Sequence, residues 1–382
     1  MSNPAISALY VHIPFCHRIC PFCSFAVRKN RPSVHREYLT AVLLETRSRV
    51  QGITINDLES LYIGGGTPSV LSSTDIIFLM QGIRQSWTLS RDCQISLECN
   101  PEDVKSDYLG TLLNSGVNRL SIGVQSFQQE FLKSLGRNHT LEHLRQNLNA
   151  LRDVGWKNFN IDLMFGLPNQ TLEQFQFDVK KALEWGPTHL SFYALELAEQ
   201  TPYSKSEKIR KSWMDAQEIT TDMYLWGTDY LENNGWEHYE VSNFAKPNYQ
   251  GRMNEMVWNG SGYLGVGVGA HSYDGQSRWA NLRSLHRYLQ LLKENCWPTA
   301  FSETLTDTEK ANEFLMLQLR QTKGLSLKKW VGNFAPKNWM DNHFDVLRAC
   351  QKEGLLNWIG DRIMLTKKGF LVADALTAEL SL

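Results

Sequence analysis

The sequence predicts an α/β protein: a partial barrel of six strand–helix units, (β/α)6, followed by a small C-terminal α+β domain of winged-helix type. Three observations carry this. Short apolar runs alternate with amphipathic stretches through the first half of the chain, the pattern of parallel strands with helices outside. The units number about six, short of the eight that close a full barrel. From about Phe301 the pattern changes to helices followed by a hairpin.

Each element follows from its residues. Residues 9–13 read as the first strand and 35–49 as the helix after it. Apolar runs at 61–63, 94–99, 119–123, 159–165 and 190–195 supply the other strands. Helical spacing of apolar residues covers 73–85, 102–114, 127–153 and 172–185. The third strand can be read by parity: Ile95, Leu97 and Cys99 share one face, Ser96 and Glu98 the other. The apolar set suits packing under helices, so Glu98 points into the barrel. Farther on, 309–320 and 343–351 read as helices and 354–366 as a hairpin turning near Gly360-Asp361. The predicted organisation is a barrel over 1–240, a connecting segment over 241–300 and the small domain over 301–382.

Composition narrows the function classes. The 382 residues hold 39 Lys and Arg against 40 Asp and Glu, a net charge of −1. Bulk attraction to nucleic acid or to an anionic membrane is therefore not expected. The N-terminal stretch has no basic region followed by an apolar core, and no apolar run approaches the ~18 residues of a spanning helix, so neither a signal peptide nor a transmembrane segment is expected. Seven Cys, an odd number, argue against a disulfide framework. Three of them crowd together; Cys93, Cys99, Cys296 and Cys350 are dispersed and read as small buried hydrophobes.

The chemically unusual residues fall at strand ends that share one rim, the face where parallel barrels carry their sites. Cys16, Cys20 and Cys23 follow strand one, and Gly64-Gly65-Gly66-Thr67 follows strand two. Glu98 lies near the end of strand three, Gln125 just past strand four, and Asp162 interrupts strand five. CxxxCxxC offers three thiolates, enough for three irons of a four-iron cube, with one iron left for an outside ligand. A zinc site completed by His12, His17 or a distant residue is the alternative. Taken singly, Glu98 fits a structural ion pair and the glycines a tight turn.

The cysteine spacing resembles the radical S-adenosylmethionine (AdoMet) signature. LYVHIPFCHRICPFCSF, GGGTPS at 64–69, LECNPED around Glu98, NRLSIGVQSF around Gln125, LGRNH around Arg137 and NIDLMFGLP around Asp162 extend the match. Together with HYEVSNFA at 238–245 and YLGVGVGAHS at 263–272, they make the chain similar to the family of oxygen-independent coproporphyrinogen III oxidase (HemN) and heme chaperone HemW. The resemblance implies a radical AdoMet barrel with a [4Fe–4S] cluster on Cys16, Cys20 and Cys23. It implies AdoMet contacts at Tyr10, Phe25, Gly65, Gly66, Thr67, Glu98, Gln125, Arg137 and Asp162. Glu98 would take the ribose, and Arg137 the methionyl carboxylate or a neighbouring carboxylate. The glycine-rich 265–269 is no dinucleotide fingerprint and reads as a tight backbone segment against the barrel.

Two departures choose a branch. The oxidase resembles CxxxCxxCxC, and its fourth Cys is Phe25 here, which points to the chaperone branch and against decarboxylation of coproporphyrinogen III. The chaperone branch shows HNxxYW, matched by Met253-Asn254-Glu255-Met256-Val257-Trp258. Met253 replaces the usual heme-ligating His. A thioether also binds heme iron, so Met253 is a candidate ligand and equally a packing residue. The expected protein binds heme as cargo and passes it to apo-proteins, with an electron donor for the cluster. It would be cytoplasmic, without nucleic acid; peripheral membrane contact is compatible with the family. The alternatives are a radical enzyme acting on porphyrins and a zinc-stabilised binding module.

Overall fold

The structure is a computed structural model describing residues 5–336 and 338–382. At its centre lie β1 (Ile6–Ile13), β2 (Ile55–Gly65), β3 (Leu89–Cys99), β4 (Arg119–Gln125), β5 (Phe159–Phe165) and β6 (His189–Ala194). They pair in sequence order and all in parallel. The six units and the partial barrel are as the sequence predicts.

The sheet has nine strands rather than six. Leu264–Val266 joins in parallel beside β1, Asn243–Ala245 joins antiparallel beside β6, and Glu237–Glu240 follows it at the edge. Segments of three or four residues are too short to show a period, so the sequence pattern did not reveal them.

Alternation decides what each strand faces. Leu61, Ile63, Leu97, Leu120, Ile122, Ile161, Leu163 and Leu190 are fully buried under the helices in one continuous apolar core. The opposite parity carries Tyr62, Glu98, Ser121 and Asp162 toward the barrel interior, where they line a cavity.

The stretch 127–153 is not one helix. It splits into Gln129–Ser134 and Leu141–Asp153. Gly136, with φ of +72°, ends the first, and the Thr140 hydroxyl accepts from His143 N–H to start the second in a capping box. The loop between them carries Arg137 to the rim. The helix expected from residue 102 begins only at Ser106, after a 3₁₀ turn over Pro101–Asp103.

The far end of the barrel is closed by the helix Arg252–Trp258. Its Arg252 N–H donates to Gln94 Oε1 at 2.8 Å, and the Arg252 guanidinium pairs with Glu59. Gly265–Gly269 behaves as a tight backbone segment: a Cβ on Gly267 would lie 2.5 Å from the Tyr38 hydroxyl and 2.7 Å from the His12 carbonyl oxygen.

The C-terminal part carries antiparallel sheets. Leu325–Ser326, Arg362–Leu365 and Leu356–Ile359 form a three-stranded wing over helices Asp307–Leu319 and Trp339–Lys352. The expected hairpin is present, with Gly360 at φ +58° in its turn. A second three-stranded sheet, His271–Tyr273, Ser277–Asn281 and Thr299–Thr304, escaped the sequence reading. Its turn is set by Asp274, whose carboxylate accepts from Ser277 N–H at 2.7 Å. The wing domain is tied to the barrel where Val241 N–H donates to Arg320 C=O at 2.9 Å.

Candidate functional site

The cavity at the C-terminal ends of the strands measures about 800 Å³. Cys16, Cys20, Cys23, Phe25, Gly65, Gly66, Thr67, Glu98, Gln125, Arg137 and Asp162 all line it. Eleven residues chosen from sequence thus meet around one space, drawn from the first five strands and the loops after them. Two do not. Tyr10 and Met253 fall outside the cavity wall.

The cysteines are presented by one loop. Phe15–Cys16 pairs in parallel with Arg28–Lys29, and Asn30 N–H donates to Cys16 C=O at 2.8 Å. Cys23 N–H donates to Cys20 C=O at 3.2 Å, closing a backbone turn between the last two cysteines. Cys16 is buried, and burial pushes its thiol up to about 11 against the pull of the Thr67 hydroxyl. Burial likewise raises Cys23. Bound iron would deprotonate such thiols outright. The two histidines named as fourth ligands in the zinc reading are engaged elsewhere. His17 Nε2 sits 2.9 Å from the Asp103 carboxylate. His12 has both nitrogens occupied: Nε2 faces Ala26 C=O at 3.1 Å and Nδ1 the Tyr10 hydroxyl at 3.0 Å.

That pair fixes a tautomer. A carbonyl only accepts, so His12 Nε2 carries the hydrogen and Nδ1 accepts from Tyr10. Burial lowers the His12 pKa to about 4, so the ring is neutral. Tyr10 therefore acts through His12 on the Ala26 carbonyl, which follows the cysteine loop. It braces that loop from within the barrel.

The glycines are needed for more than a turn. Gly65 is the last residue of β2, at φ +108°, and a Cβ there would lie 2.3 Å from His12 Nδ1. A Cβ on Gly66 would lie 2.7 Å from Ile13 C=O. Gly65→Ala should cost about 2–4 kcal/mol from the disfavoured φ and this clash, read as a lower urea midpoint.

Glu98 accepts from the Tyr62 hydroxyl at 2.8 Å and from Gly65 N–H at 3.0 Å. Burial pushes its carboxyl up to about 7; the Tyr62 hydrogen bond opposes this, and the Asp162 charge adds to it. Burial also raises Asp162, against hydrogen bonds that include the Asn160 amide at 2.7 Å. Gln125 is a non-glycine residue at φ +68°, on a strand bulge that ends β4. Such backbone costs on the order of 1–3 kcal/mol and is held by its surroundings. Arg137 donates to Asn100 Oδ1 at 2.7 Å, while its buried Nε finds no partner among the described residues.

Several supporting residues escaped the sequence reading. Tyr62 was within reach, since it shares inward parity with Gly64. Asn160, His189 and Tyr239 were not. His189 Nδ1 faces Asn160 Oδ1 and Nε2 the Tyr239 hydroxyl, each at 2.7 Å. The amide oxygen accepts, so His189 is protonated on Nδ1 and Tyr239 donates to Nε2. Gly251 N–H in turn donates to the Tyr239 hydroxyl at 3.2 Å. A one-way chain of donors thus runs from the start of the closing helix to the Asp162 carboxylate.

Met253 lies on that helix, 7 % exposed, packed with Ala8, Met256, Tyr10 and Tyr62. It is at the barrel end opposite the cysteines.

The residues present suit a cluster and AdoMet: three thiols on one loop, a backbone cradle that any Cβ would fill, two half-buried carboxyls facing the cavity and a guanidinium nitrogen unpartnered among the described residues. The comparisons agree. The Radical SAM superfamily model matches residues 10–182, and the HemN C-terminal domain model matches residues 305–372. Heme chaperone HemW of Bacillus subtilis (strain 168) is 32 % identical over 371 residues, spanning 97 % of each chain. Heme chaperone HemW of Escherichia coli (strain K12) is 36 % identical over 265 residues, 69 % of each chain. The solved structure of coproporphyrinogen III oxidase (HemN) from Escherichia coli superposes with a TM-score of 0.83 at 26 % identity, covering 99 % of this chain and 90 % of that one.

Fold and site together define a radical AdoMet protein, a class that implies a [4Fe–4S] cluster and AdoMet. Within that class the chain belongs to the heme chaperone HemW family. No helix among the described residues is long and apolar enough to cross a membrane.

Proposed function

We propose that this chain is a heme chaperone, binding heme as cargo and passing it to heme-accepting apo-proteins. Cys16, Cys20 and Cys23 would hold the cluster. Gly65, Gly66, Thr67, Glu98, Gln125, Arg137 and Asp162 would hold AdoMet, with Phe25 covering it from the mouth. Bound there, the two supply one-electron reductive chemistry. The observation that carries the reading is full-length similarity to HemW relatives, joined to Phe25 where the oxidase motif has its fourth Cys.

The heme is better placed at the cavity mouth than at Met253. Ile19, Phe25 and Leu371 are large apolar side chains left exposed there, and Tyr193 lines the cavity within. They suit the flat face of a macrocycle, and Leu371 comes from the C-terminal part of the chain. Met253 is buried, and reaching it would require the closing helix to leave the barrel.

An anaerobic heme titration of the cluster-reconstituted chain tests this. Saturation near one heme per chain is expected. Met253→Ala should keep that stoichiometry while losing about 2–5 kcal/mol of stability, the cost of a buried large-to-small change. Leu371→Asp should weaken heme about tenfold or more by removing apolar contact. Loss of heme binding on Met253→Ala, with the fold intact by circular dichroism, would move the site to the closing helix. Absence of saturable binding would remove the chaperone reading.

A further inference from the structure

We propose that Tyr239, His189 and Asn160 are positioning residues for AdoMet: from a fixed donor at the closing helix they present the Asp162 carboxylate to the ligand as an acceptor. The proposal rests on the AdoMet reading of Asp162 and is independent of where heme binds.

The direction of the chain is decided at its ends. A backbone amide only donates, so Gly251 N–H, 3.2 Å away, takes the Tyr239 oxygen as its acceptor. The Tyr239 hydrogen then goes to His189 Nε2 at 2.7 Å, the other partner of that hydroxyl among the described residues. An imidazole with one hydrogen must then carry it on Nδ1, which donates to Asn160 Oδ1 at 2.7 Å. That turns the Asn160 amide nitrogen toward Asp162 Oδ1 and the Ser121 hydroxyl, each at 2.7 Å. An amide nitrogen only donates, and an ionised carboxylate only accepts. Each link is fixed by the one before it.

The reversed chain leaves a hydrogen stranded. With a proton on Asp162 given to the amide oxygen, Asn160 would turn over, His189 would carry its hydrogen on Nε2, and the Tyr239 oxygen would accept twice. The Tyr239 hydrogen would then have no acceptor among the described residues, a costly unmade bond. Ser191 does not choose between the two directions: its hydroxyl lies 3.2 Å from Asn160 Oδ1, and a hydroxyl both donates and accepts. The choice falls to His189 and Tyr239. His189 is 1 % exposed, and burial together with the Arg119 charge holds it well below its ordinary range. It therefore stays neutral and keeps the single hydrogen that gives the chain a direction.

The consequence falls on Asp162. Burial raises its carboxyl, and the Asn160 amide is the strongest of the hydrogen bonds that oppose this. Four titratable groups also face it: Tyr62 on β2, Glu98 on β3, Arg119 on β4 and Tyr193 on β6. The Arg119 charge favours the ionised form, and the Glu98 charge opposes it. The strand carrying Tyr239 is held in turn by the C-terminal part, where the Thr322 N–H and hydroxyl both donate to Tyr239 C=O at 3.2 Å.

AdoMet binding to the full-length, cluster-reconstituted chain is measured anaerobically by calorimetry at pH 6.5 and 8.5, with iron content and circular dichroism as controls. His189→Phe keeps a ring and removes the donor. Its affinity at pH 6.5 should fall at least tenfold, the scale of one charge-assisted hydrogen bond. The loss should shrink at pH 8.5, where Asp162 gives up its proton without help. Tyr239→Phe removes a single hydroxyl, serves should His189→Phe not fold, and should cost about threefold. His189→Asn, whose amide nitrogen takes the place of Nδ1, should hold affinity within about twofold of the parent. In an Asp162→Asn background these losses should vanish, because the chain has no carboxylate left to present.

Losses that persist at full size in the Asp162→Asn background, or that are equal at both pH values, overturn the proposal, since the three residues then only support the barrel. Parent affinity in Tyr239→Phe also overturns it, and leaves the AdoMet reading of Asp162 standing. Asp162→Asn that binds AdoMet as tightly as the parent takes Asp162 out of ligand contact, and the proposal falls with that reading.

Discussion

Replacing Cys20 by Ala should take iron and acid-labile sulfide from about four per chain to near zero, with the fold unchanged. The reasoning is local. Cys20 is partly exposed on a loop, so its side chain contributes little to packing and its loss should leave the melting temperature within a few degrees. Its thiolate is one of only three on the cavity wall that belong to the loop, and a cube held by two has no stable seat. Cys23→Ala should behave the same way. Cys16→Ala should lose the cluster and some stability too, because Cys16 is buried and its Sγ lies by the Thr67 hydroxyl. Cys296→Ser, at an exposed position remote from the loop, is the control and should retain full iron. Iron and sulfide assays after anaerobic reconstitution decide it. Retention of full iron and sulfide by Cys20→Ala would mean that another residue supplies the ligand and that the motif has been misread.

What the sequence disclosed and what it hid divide along a physical line. The cysteines, Gly65, Gly66 and Glu98 were legible because each sits at or just past a strand end, and parallel topology sends those ends to one rim; Asp162 was legible as a charge interrupting the apolar run of β5. Parity alone turned Glu98 inward. Arg137 was legible as a motif residue but not as a loop residue. The apolar period runs on through 127–153, and the break depends on Gly136 at positive φ and on Thr140 as a cap. The bracing pairs were hidden for a different reason. Asn160 meets His189 only because β5 and β6 pair in that register. Glu45, fully buried, accepts from Gly267 N–H at 2.9 Å and the Tyr288 hydroxyl at 2.7 Å, partners more than 200 positions away. No local pattern announces such contacts. Met253 shows the limit of a motif: matching a stretch gives its position along the chain, not its depth, and here the helix is turned into the barrel.

Glu98→Gln should weaken AdoMet binding about ten- to a hundredfold at pH 8 and remove its pH dependence. A hydrogen bond to a charged acceptor contributes about 1.5–3 kcal/mol, which sets that range. Glu98 already accepts from Tyr62 and Gly65, and its remaining lone pairs are what a ribose hydroxyl would meet. With its carboxyl pushed up to about 7, the free protein holds a proton there below neutrality, so affinity should fall as pH drops through 7. The same shift has a stability consequence of opposite sense. Between the unfolded value of 4.5 and about 7, the folded protein binds a proton that the unfolded chain does not. Stability of the ligand-free protein therefore falls as pH rises across that window, by at most on the order of 3 kcal/mol, since Glu98 is only partly buried in the open cavity. Gln cannot ionise, so the variant should lose that slope even as it loses affinity. Urea unfolding from pH 5 to 8 and AdoMet calorimetry over the same range read the two effects separately. A variant that still shows an affinity midpoint near pH 7 would transfer the titration to Asp162, the other carboxyl on the wall. Loss of the stability slope together with unchanged affinity would keep Glu98 as a brace for Gly65 and take it out of ligand contact.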